Sequence, residues 1–348
     1  VLKANGILSF ICSDAWTKNS YGRALRNLIA SSYSLDLYID MYGLPAFAHN
    51  VGAYTSITRI RNARFDKTHI VEIKSLDGNY LQSISDQLMP EAQLDESSLR
   101  IDTPRTSTPW LLSGNEESQI VRELESRFAP IEQAGCKIGI GVATGADSIF
   151  IGNIESLDIE SSRKVPLATG KDIVDGTFIW SGKAVVNPWD EDGKLIDLDE
   201  FPRTRAFLIQ HYERLRRRHT AKRNPERLWY KTIDKIDSSL INKEKLLIPD
   251  IRSNSQSIAY DTGTIYPHHG IYYITSKSWD LRALQALLRF GLASLFVRTY
   301  STRLGGGYVR FQAQNLRKIH IPEWSSLSPE DKMTLIQSRG NADLLEPS

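Results

Sequence analysis

A stretch dense in arginine is the part of this sequence best suited to grip a phosphate backbone. It runs His211-Tyr-Glu-Arg-Leu-Arg-Arg-Arg-His219, with Lys222 and Arg223 just beyond. Its cations are Arg214, Arg216, Arg217, Arg218, Lys222 and Arg223, and the aromatic residues Tyr212, Trp229 and Tyr230 are close by. The alternative reading is a solvated helix end, where cations also complement the C-terminal dipole. A second set, Arg303, Tyr308, Arg310 and Gln312, surrounds Gly305-Gly-Gly307. Tyr308, Arg310 and Gln312 alternate, so a strand would project them from one face. Arg and Gln are suited to paired hydrogen bonds with base edges, and a glycine-rich loop lets backbone approach closely. The alternative here is a flexible connection between two elements.

Other chemistries are less well supported. Glu72-Ile-Lys74 after Asp66 has the residue types of a Mg²⁺-dependent nuclease element, with carboxylates for the ion and Lys for the phosphate. The spacing between Asp66 and Glu72 is short, and the triplet reads better as a strand edge. His268-His269 is not expected to hold a metal, because neighbouring strand residues point to opposite faces and no Cys cluster accompanies them. Thr144-Gly-Ala-Asp147 lacks the Lys-Ser/Thr pair of a P-loop. No metal site is expected.

The elements that must position these residues follow from pattern. A length of 348 residues with 41% hydrophobic content allows two or three domains with ordinary cores. The net charge of +2 excludes nothing by itself, but an acidic run, Asp190 to Glu200, is followed at once by a basic one, Arg203 to Arg227. Cys12 and Cys136 are far apart and form no CxxC pair, which fits two buried thiols in a reducing compartment. No apolar run is long enough to span a bilayer and no signal-peptide pattern is present, so a soluble, cytoplasmic protein without a membrane partner is expected.

Residues 5–13 form a short apolar run that reads as a parallel strand buried on both faces. With Val at position 1 and nothing ahead to form its neighbours, a larger protein is expected to have been cut here. A helix follows over 18–30, with Leu25, Leu28 and Ile29 as its apolar stripe and Arg23, Arg26 and Asn27 on the wet face. Residues 35–41 and 53–60 read as strands, the last two of a doubly wound sheet. The pattern loosens over 76–108, which is assigned as a linker. A helix at 116–128 leads to an apolar hairpin, 138–151, turning at Gly145. Further expected elements are a strand at 177–186, a helix at 201–218, a strand pair at 245–260, a leucine-rich helix at 280–300 and a strand at 316–321.

At this level of detail the sequence resembles a known family. The run GILSFICSDAWTKNSYGRALRNLI, then LDLYIDMYGLPAFAHNVGAYTSITRI, is similar to the final third of a DNA adenine-N6 methyltransferase domain, of the type IIG restriction–modification kind. IGIGVATGADSIFIG, VPLATGKDI, FPRTRAFLIQHYERLRRR, LWY, KLLIPDI and IAYDTGTIY, in that order, resemble a TaqI-like C-terminal specificity domain. The ordered series covers about residues 1–322. The resemblance implies an α/β fold: the C-terminal remnant of a doubly wound methyltransferase sheet (1–75), a linker (76–108), an α+β target recognition domain (109–325) and a tail (326–348). It also implies that Phe47, in Gly43-Leu-Pro-Ala-Phe47, walls the pocket of an extruded adenine, where an aromatic restores part of the lost stacking; filling a junction in the core is the alternative.

The chain departs from that family in two motifs. The glycine-rich turn for S-adenosylmethionine is missing, and so is the Asn-Pro-Pro-aromatic motif that holds the target amino group. The Asn-Pro pairs present are Asn187-Pro188, followed by Trp189, and Asn224-Pro225, followed by Glu226. Methyl transfer depends on a positioned donor and acceptor. No catalytic residue and no cofactor are therefore expected in this fragment, with S-adenosylmethionine belonging to the parent enzyme. Double-stranded DNA and the missing N-terminal catalytic portion are the expected partners. The competing readings are a non-catalytic specificity subunit and an endonuclease using Asp66, Glu72 and Lys74.

Overall fold

The computed structural model describes residues 2–41, 44, 55–88, 99–113, 115–252, 257–301 and 309–338. It divides into two compact units, Val1–Glu123 and Leu124–Ser348.

The first unit runs β1 (Ile7–Ser13), α1 (Arg23–Ser32), β2 (Ser34–Asp40), β3 (Thr55–Arg61), β4 (Lys67–Glu72), α2 (Gly78–Gln87) and β5 (Leu99–Asp102). The strands form one sheet in the order β1-β3-β2-β4-β5. β2 and β4 are parallel, and the other neighbouring pairs are antiparallel. A register shift between Leu35 and Leu37 breaks the alternation of β2. Leu35 and Tyr38 thereby join Trp16, Ile29, Trp110 and Leu112 on one face, while Leu37 and Ile39 join Met41, Ile73 and Leu81 on the other. The central strand is thus covered on both sides, the usual condition of a doubly wound sheet. Asp36, buried at the shift, is held by Arg59 and Arg61 of β3, each Nε 3.1 Å from Oδ2. Residues 76–108, expected as a linker, hold α2 and the sheet-edge strand β5.

Two expectations for this unit are corrected. β1 is antiparallel to β3, lies at the sheet's edge, and is exposed along most of its length, with Ile7 51% and Phe10 57% accessible. An apolar run resembles a buried strand whether or not anything covers it. In α1 Ile29 is buried and Arg23 and Asn27 are exposed as expected, but Arg26 is 2% exposed, whereas Leu25 and Leu28 face solvent. Arg26 can be buried because carbonyls receive its guanidinium. Nη1 donates to Trp16 O (2.5 Å) and Asn19 O (2.9 Å), and Nε donates to Ser107 O (3.0 Å).

Helix α3 (Glu116–Arg127) runs across the division. The second unit then gives β6 (Cys136–Ile140), α4 (Asp147–Phe150), β7 (Ile151–Asn153), β8 (Lys164–Ala168), β9 (Lys183–Val186), α5 (Pro202–Ile209) and α6 (Tyr212–Arg216). It continues with β10 (Lys245–Pro249), β11 (Ile251–Arg252), β12 (Ala259–Asp261), β13 (Tyr266–Pro267), β14 (Ile271–Ser276), α7 (Leu281–Leu287), α8 (Ala293–Tyr300), β15 (Val309–Arg310), α9 (Ala313–Leu316) and β16 (His320–Ile321). Two four-stranded sheets, β13-β8-β9-β7 and β12-β10-β14-β6, carry most of its strands. The main core gathers Phe150, Leu167, Val185, Trp189, Leu208, Leu215 and Trp229. Lys245 is wholly buried in β10, its Nζ 2.6 Å from Asp261 and donating to Leu240 O and Lys243 O at 2.9 Å.

The expected hairpin at 138–151 does not form, because β6 and β7 belong to different sheets. Gly145 does turn the chain, with φ +74°, but the turn passes from one sheet to the other through α4. The leucine-rich helix bends at Gly291, whose φ of +112° no helix accommodates, and continues as α8. The expected strand at 316–321 shrinks to His320–Ile321, preceded by α9.

Candidate nucleic-acid interface

The basic segment is anchored at its start by Glu160, which caps α5. Its carboxylate accepts from Arg203 N (2.8 Å), Thr204 N (2.8 Å) and Thr204 Oγ1 (2.6 Å). Desolvation alone would raise this carboxyl, but the three hydrogen bonds outweigh it and hold the pKa down to about 2. The acidic run folds back on the beginning of the basic one. Arg205 pairs with Asp199 of that run at 3.3 Å, and Arg203 pairs with Asp158, from outside it, at 2.5 Å. Neutralisation is therefore local at the N-terminal end of this segment, where the sequence suggested separate fields.

Further along, the six sequence-assigned cations take different roles. Arg218 is structural. Its guanidinium donates to Thr144 O (3.0 Å), Leu215 O (3.1 Å), Trp229 O (2.9 Å) and Lys231 O (2.6 Å), and it lies 5.2 Å from the Phe150 ring centre. Burial pushes its pKa down to about 10, so it stays charged at neutral pH. Arg216 is engaged by Glu213 at 3.0 Å and lies over the Tyr212 ring, and Arg214 donates to Ser148 Oγ at 2.9 Å. Arg217 reaches the same Glu213 only at 3.6 Å and is 77% exposed. Lys222 and Arg223 are exposed on the turn that follows. The outward cationic face thus consists of Arg217, Lys222 and Arg223, with Arg214 at its border.

The neighbouring aromatic residues pack on one another. Tyr212 meets Trp229 edge-on at 5.0 Å, and Trp229 meets Tyr230 at 5.3 Å. Tyr212, Trp229 and Tyr230 line an open groove of about 900 Å³, together with Arg205, Arg227 and the acidic Asp197 and Glu226. Trp229 is buried, and Tyr212 donates to Glu226 at 2.9 Å, so these rings support the segment before they offer any surface for stacking.

Of the second set, Arg303 and Tyr308 lie outside the described residues, as does Phe47 of the first unit. Arg310 and Gln312 are described, but not as alternating strand positions: β15 ends at Arg310, and Gln312 precedes α9. They are nevertheless neighbours. Arg310 is ion-paired with Asp250, which raises its pKa, and the Gln312 amide lies beside it: with its oxygen and nitrogen exchanged, the oxygen would accept from Nη1 and Nη2 at 3.2 Å. Asp250 was not singled out from the sequence; a carboxylate sixty residues away carries no local signal of that pairing.

Asp66 precedes β4 and Glu72 ends it, six residues apart, which in a strand is roughly 20 Å. They cannot share one Mg²⁺ ion, so the nuclease reading fails on geometry. Both Asn-Pro side chains are occupied locally. Asn187 Oδ1 accepts from Trp189 N (3.0 Å), and Asn224 Oδ1 accepts from Arg227 N at the start of a helical turn (3.2 Å). The strand ends flanking the Phe47 segment, Asp40 and Thr55, stand at the same sheet edge as Ser13. In open α/β sheets, ligands bind beyond the carboxyl ends of strands such as β1 and β2.

Comparison with known proteins adds the decisive observation. Over 329 residues the chain is 46% identical to the Type II methyltransferase M.PaeR7I of Pseudomonas aeruginosa, covering 94% of this chain and 57% of that protein. Its homologues are Type II methyltransferases. M.XhoI of Xanthomonas vasicola is 41% identical over 334 residues, covering 94% of this chain and 61% of that protein. M.BstVI of Geobacillus stearothermophilus is 39% identical over 349 residues, covering 97% and 62%. The chain therefore spans about three-fifths of the length of these curated relatives. No protein-family model matches it. Among solved structures, the Type IIL restriction-modification enzyme MmeI in complex with DNA is similar, with a TM-score of 0.50 and 12% identity over 97% of this chain and 46% of that one. The type IIG restriction endonuclease BpuSI gives a TM-score of 0.44 and 10% identity, covering 97% and 42%. The MmeI likeness supports the mixed α/β fold; the kinship to methyltransferases rests on the sequence identities. Among the described residues, no helix is long and apolar enough to cross a membrane.

Proposed function

We propose that this chain is the C-terminal part of a site-specific DNA adenine-N6 methyltransferase from a restriction–modification system. The identity to M.PaeR7I over 94% of the chain carries the reading. In it, the unit Val1–Glu123, whose sheet continues through β5, completes a catalytic sheet, and the unit Leu124–Ser348 supplies a TaqI-like target recognition domain and a C-terminal tail. The exposed apolar strand β1 and the outward Leu25 and Leu28 of α1 support the first assignment, because an uncovered apolar sheet edge is a surface that natural proteins protect. The rest of the parent enzyme's sheet would cover it.

S-adenosylmethionine is the methyl donor of the parent enzyme in this reading. In this reading the donor site and the acceptor motif belong to the remaining part of the parent enzyme, because the glycine-rich turn and the Asn-Pro-Pro-aromatic motif are missing from this sequence. This chain instead acts on double-stranded DNA. Arg217, Lys222 and Arg223 approach phosphates and set the register, while Arg310, steadied by Asp250 and Gln312, addresses base edges. Arg303 and Tyr308 belong to the same base-reading set. Phe47 walls the pocket of the extruded adenine in the assembled enzyme.

The test is tritium transfer from labelled S-adenosylmethionine to mixed-sequence duplex, by this chain alone and after co-expression with the remaining part of the parent enzyme. Transfer is expected only from the assembled protein, with binding of the cofactor by the chain alone undetectable in calorimetry. Turnover by the chain alone, or an assembled enzyme that modifies cytosine, would overturn the reading.

A further inference from the structure

Asp147, His268 and His269 meet in the second unit, although the sequence suggested that the two histidines diverge. His268 forms a parallel bridge with Val142 just beyond β13, and His269 already belongs to a turn. Strand alternation therefore does not apply to the pair. Their ring centres lie 4.0 Å apart, and His268 Nε2 is 3.0 Å from Asp147 Oδ2. One ligand atom from each of the three residues lies within 4.8 Å of the others.

We propose that Asp147, His268 and His269 form a binding site for a divalent transition-metal ion of the zinc class. Two imidazoles and one carboxylate are the donor set such ions accept, at about 2.0–2.2 Å from each donor atom. The groups behind the site are arranged as supports. Thr144 Oγ1 donates to Asp147 Oδ1, fixing the carboxylate so that Oδ2 faces the histidines. The backbone is held as well: Val142 N donates to Pro267 O (2.9 Å), His269 N to Val142 O (2.9 Å) and His268 N to Ala168 O (2.9 Å).

Binding at Nε2 requires a change of tautomer at His268. In the metal-free pair, Nε2–H donates to Asp147, and Nδ1 accepts a long 3.4 Å bond from Gly270 N. With an ion at Nε2 the proton moves to Nδ1, and that long hydrogen bond is given up. His269 is exposed, so the ion's remaining positions open to water. The ion would fasten the 141–147 loop to the turn after β13. That loop also presents Thr144 O to Arg218, so the clip stands directly behind the basic segment.

The full chain, purified without a histidine tag and stripped of metal, would be titrated with Zn²⁺ and with Co²⁺. Metal content would be measured by mass spectrometry and the Co²⁺ geometry by its visible absorption. One equivalent should bind, with affinity reduced about 10- to 100-fold or more in His269→Ala and in Asp147→Asn. The exposed His269→Ala variant should melt like the parent protein without metal and lose the stabilisation that Zn²⁺ confers on it. Absence of saturable binding, or binding unchanged in both variants, would overturn the proposal and leave a hydrogen-bonded Asp–His brace.

Discussion

Replacing Arg218 by Ala, and separately replacing Arg217, Lys222 and Arg223 together by Gln, should split stability from DNA binding. Arg218 gives four hydrogen bonds to the carbonyls of Thr144, Leu215, Trp229 and Lys231 from a half-buried position. Removing it leaves those acceptors facing a cavity beside Phe150. Each acceptor left without its charged donor costs about 1–3 kcal/mol where water cannot replace it, so a loss of about 3–5 kcal/mol is expected for the four together. For a unit of this size, each kcal/mol moves the melting temperature by about 2–4 °C, so Arg218→Ala should lower it by about 6–20 °C. The triple variant touches exposed side chains and should melt within about 0.5 kcal/mol of the parent. It should instead weaken duplex binding and flatten log K against log salt by about 0.9 for each phosphate left without its cation. Calorimetric melting and fluorescence anisotropy at several salt concentrations, on the same preparations, give both readouts. An unchanged slope in the triple variant, or an Arg218→Ala protein with normal melting and a flattened slope, would refute this division of labour.

In the assembled parent enzyme, Phe47→Ala should reduce methylation about ten- to hundredfold, the worth of one base–aromatic stack of about 1–3 kcal/mol, with little change in melting. A core residue would instead cost about 3–5 kcal/mol of stability with normal turnover per folded molecule. Glu160→Ala should cost about 1–2 kcal/mol by uncapping α5. Because the folded carboxyl titrates near pH 2, below its ordinary 4.5, that contribution is full above about pH 4.5 and lost as pH falls through about 2; acid titration of both proteins by circular dichroism would show the difference closing there. Asp261→Ala should destabilise by about 3–5 kcal/mol because it strands the buried Lys245 ammonium, whereas the double replacement Lys245→Met with Asp261→Leu should recover most of the loss in thermal melts.

Strands survived the passage from sequence to structure better than faces did. Residues 35–41 and 53–60 cover all but one residue each of the observed β2 and β3, and 245–260 contains the paired β10 and most of β12, because β-branched runs between turn signals reflect local preference. Which side of an element is buried depends on partners distant in sequence. Arg26 looks like a solvent residue until Trp16, Asn19 and Ser107 supply its carbonyls, and Leu25 and Leu28 look like core residues until nothing described packs over them. The same limit explains Arg218 and the His268–His269 pair. A run of arginines does not show which one turns inward, and adjacency predicts opposed side chains only where the backbone is extended.

That limit bears directly on how DNA recognition could work here. Counted in sequence, the segment offers six cations; counted in space, Arg218 is consumed by carbonyls and Arg216 by Glu213. Three outward cations neutralising three phosphates would give a salt slope of only about 2.7, a modest and sequence-independent attraction. Such a face can hold a duplex in register but cannot choose among sites. Selectivity must then come from side chains whose hydrogen-bonding groups are fixed in advance. Arg310 fits that requirement better than any exposed cation of the basic segment, because Asp250 already holds Nη2 of its guanidinium. On this reasoning Asp250→Asn should loosen discrimination between DNA sites in the assembled enzyme while leaving the salt slope intact, the opposite pattern to the triple variant. Equal effects on matched and mismatched duplexes would mean that Asp250 supports the fold and takes no part in reading the base.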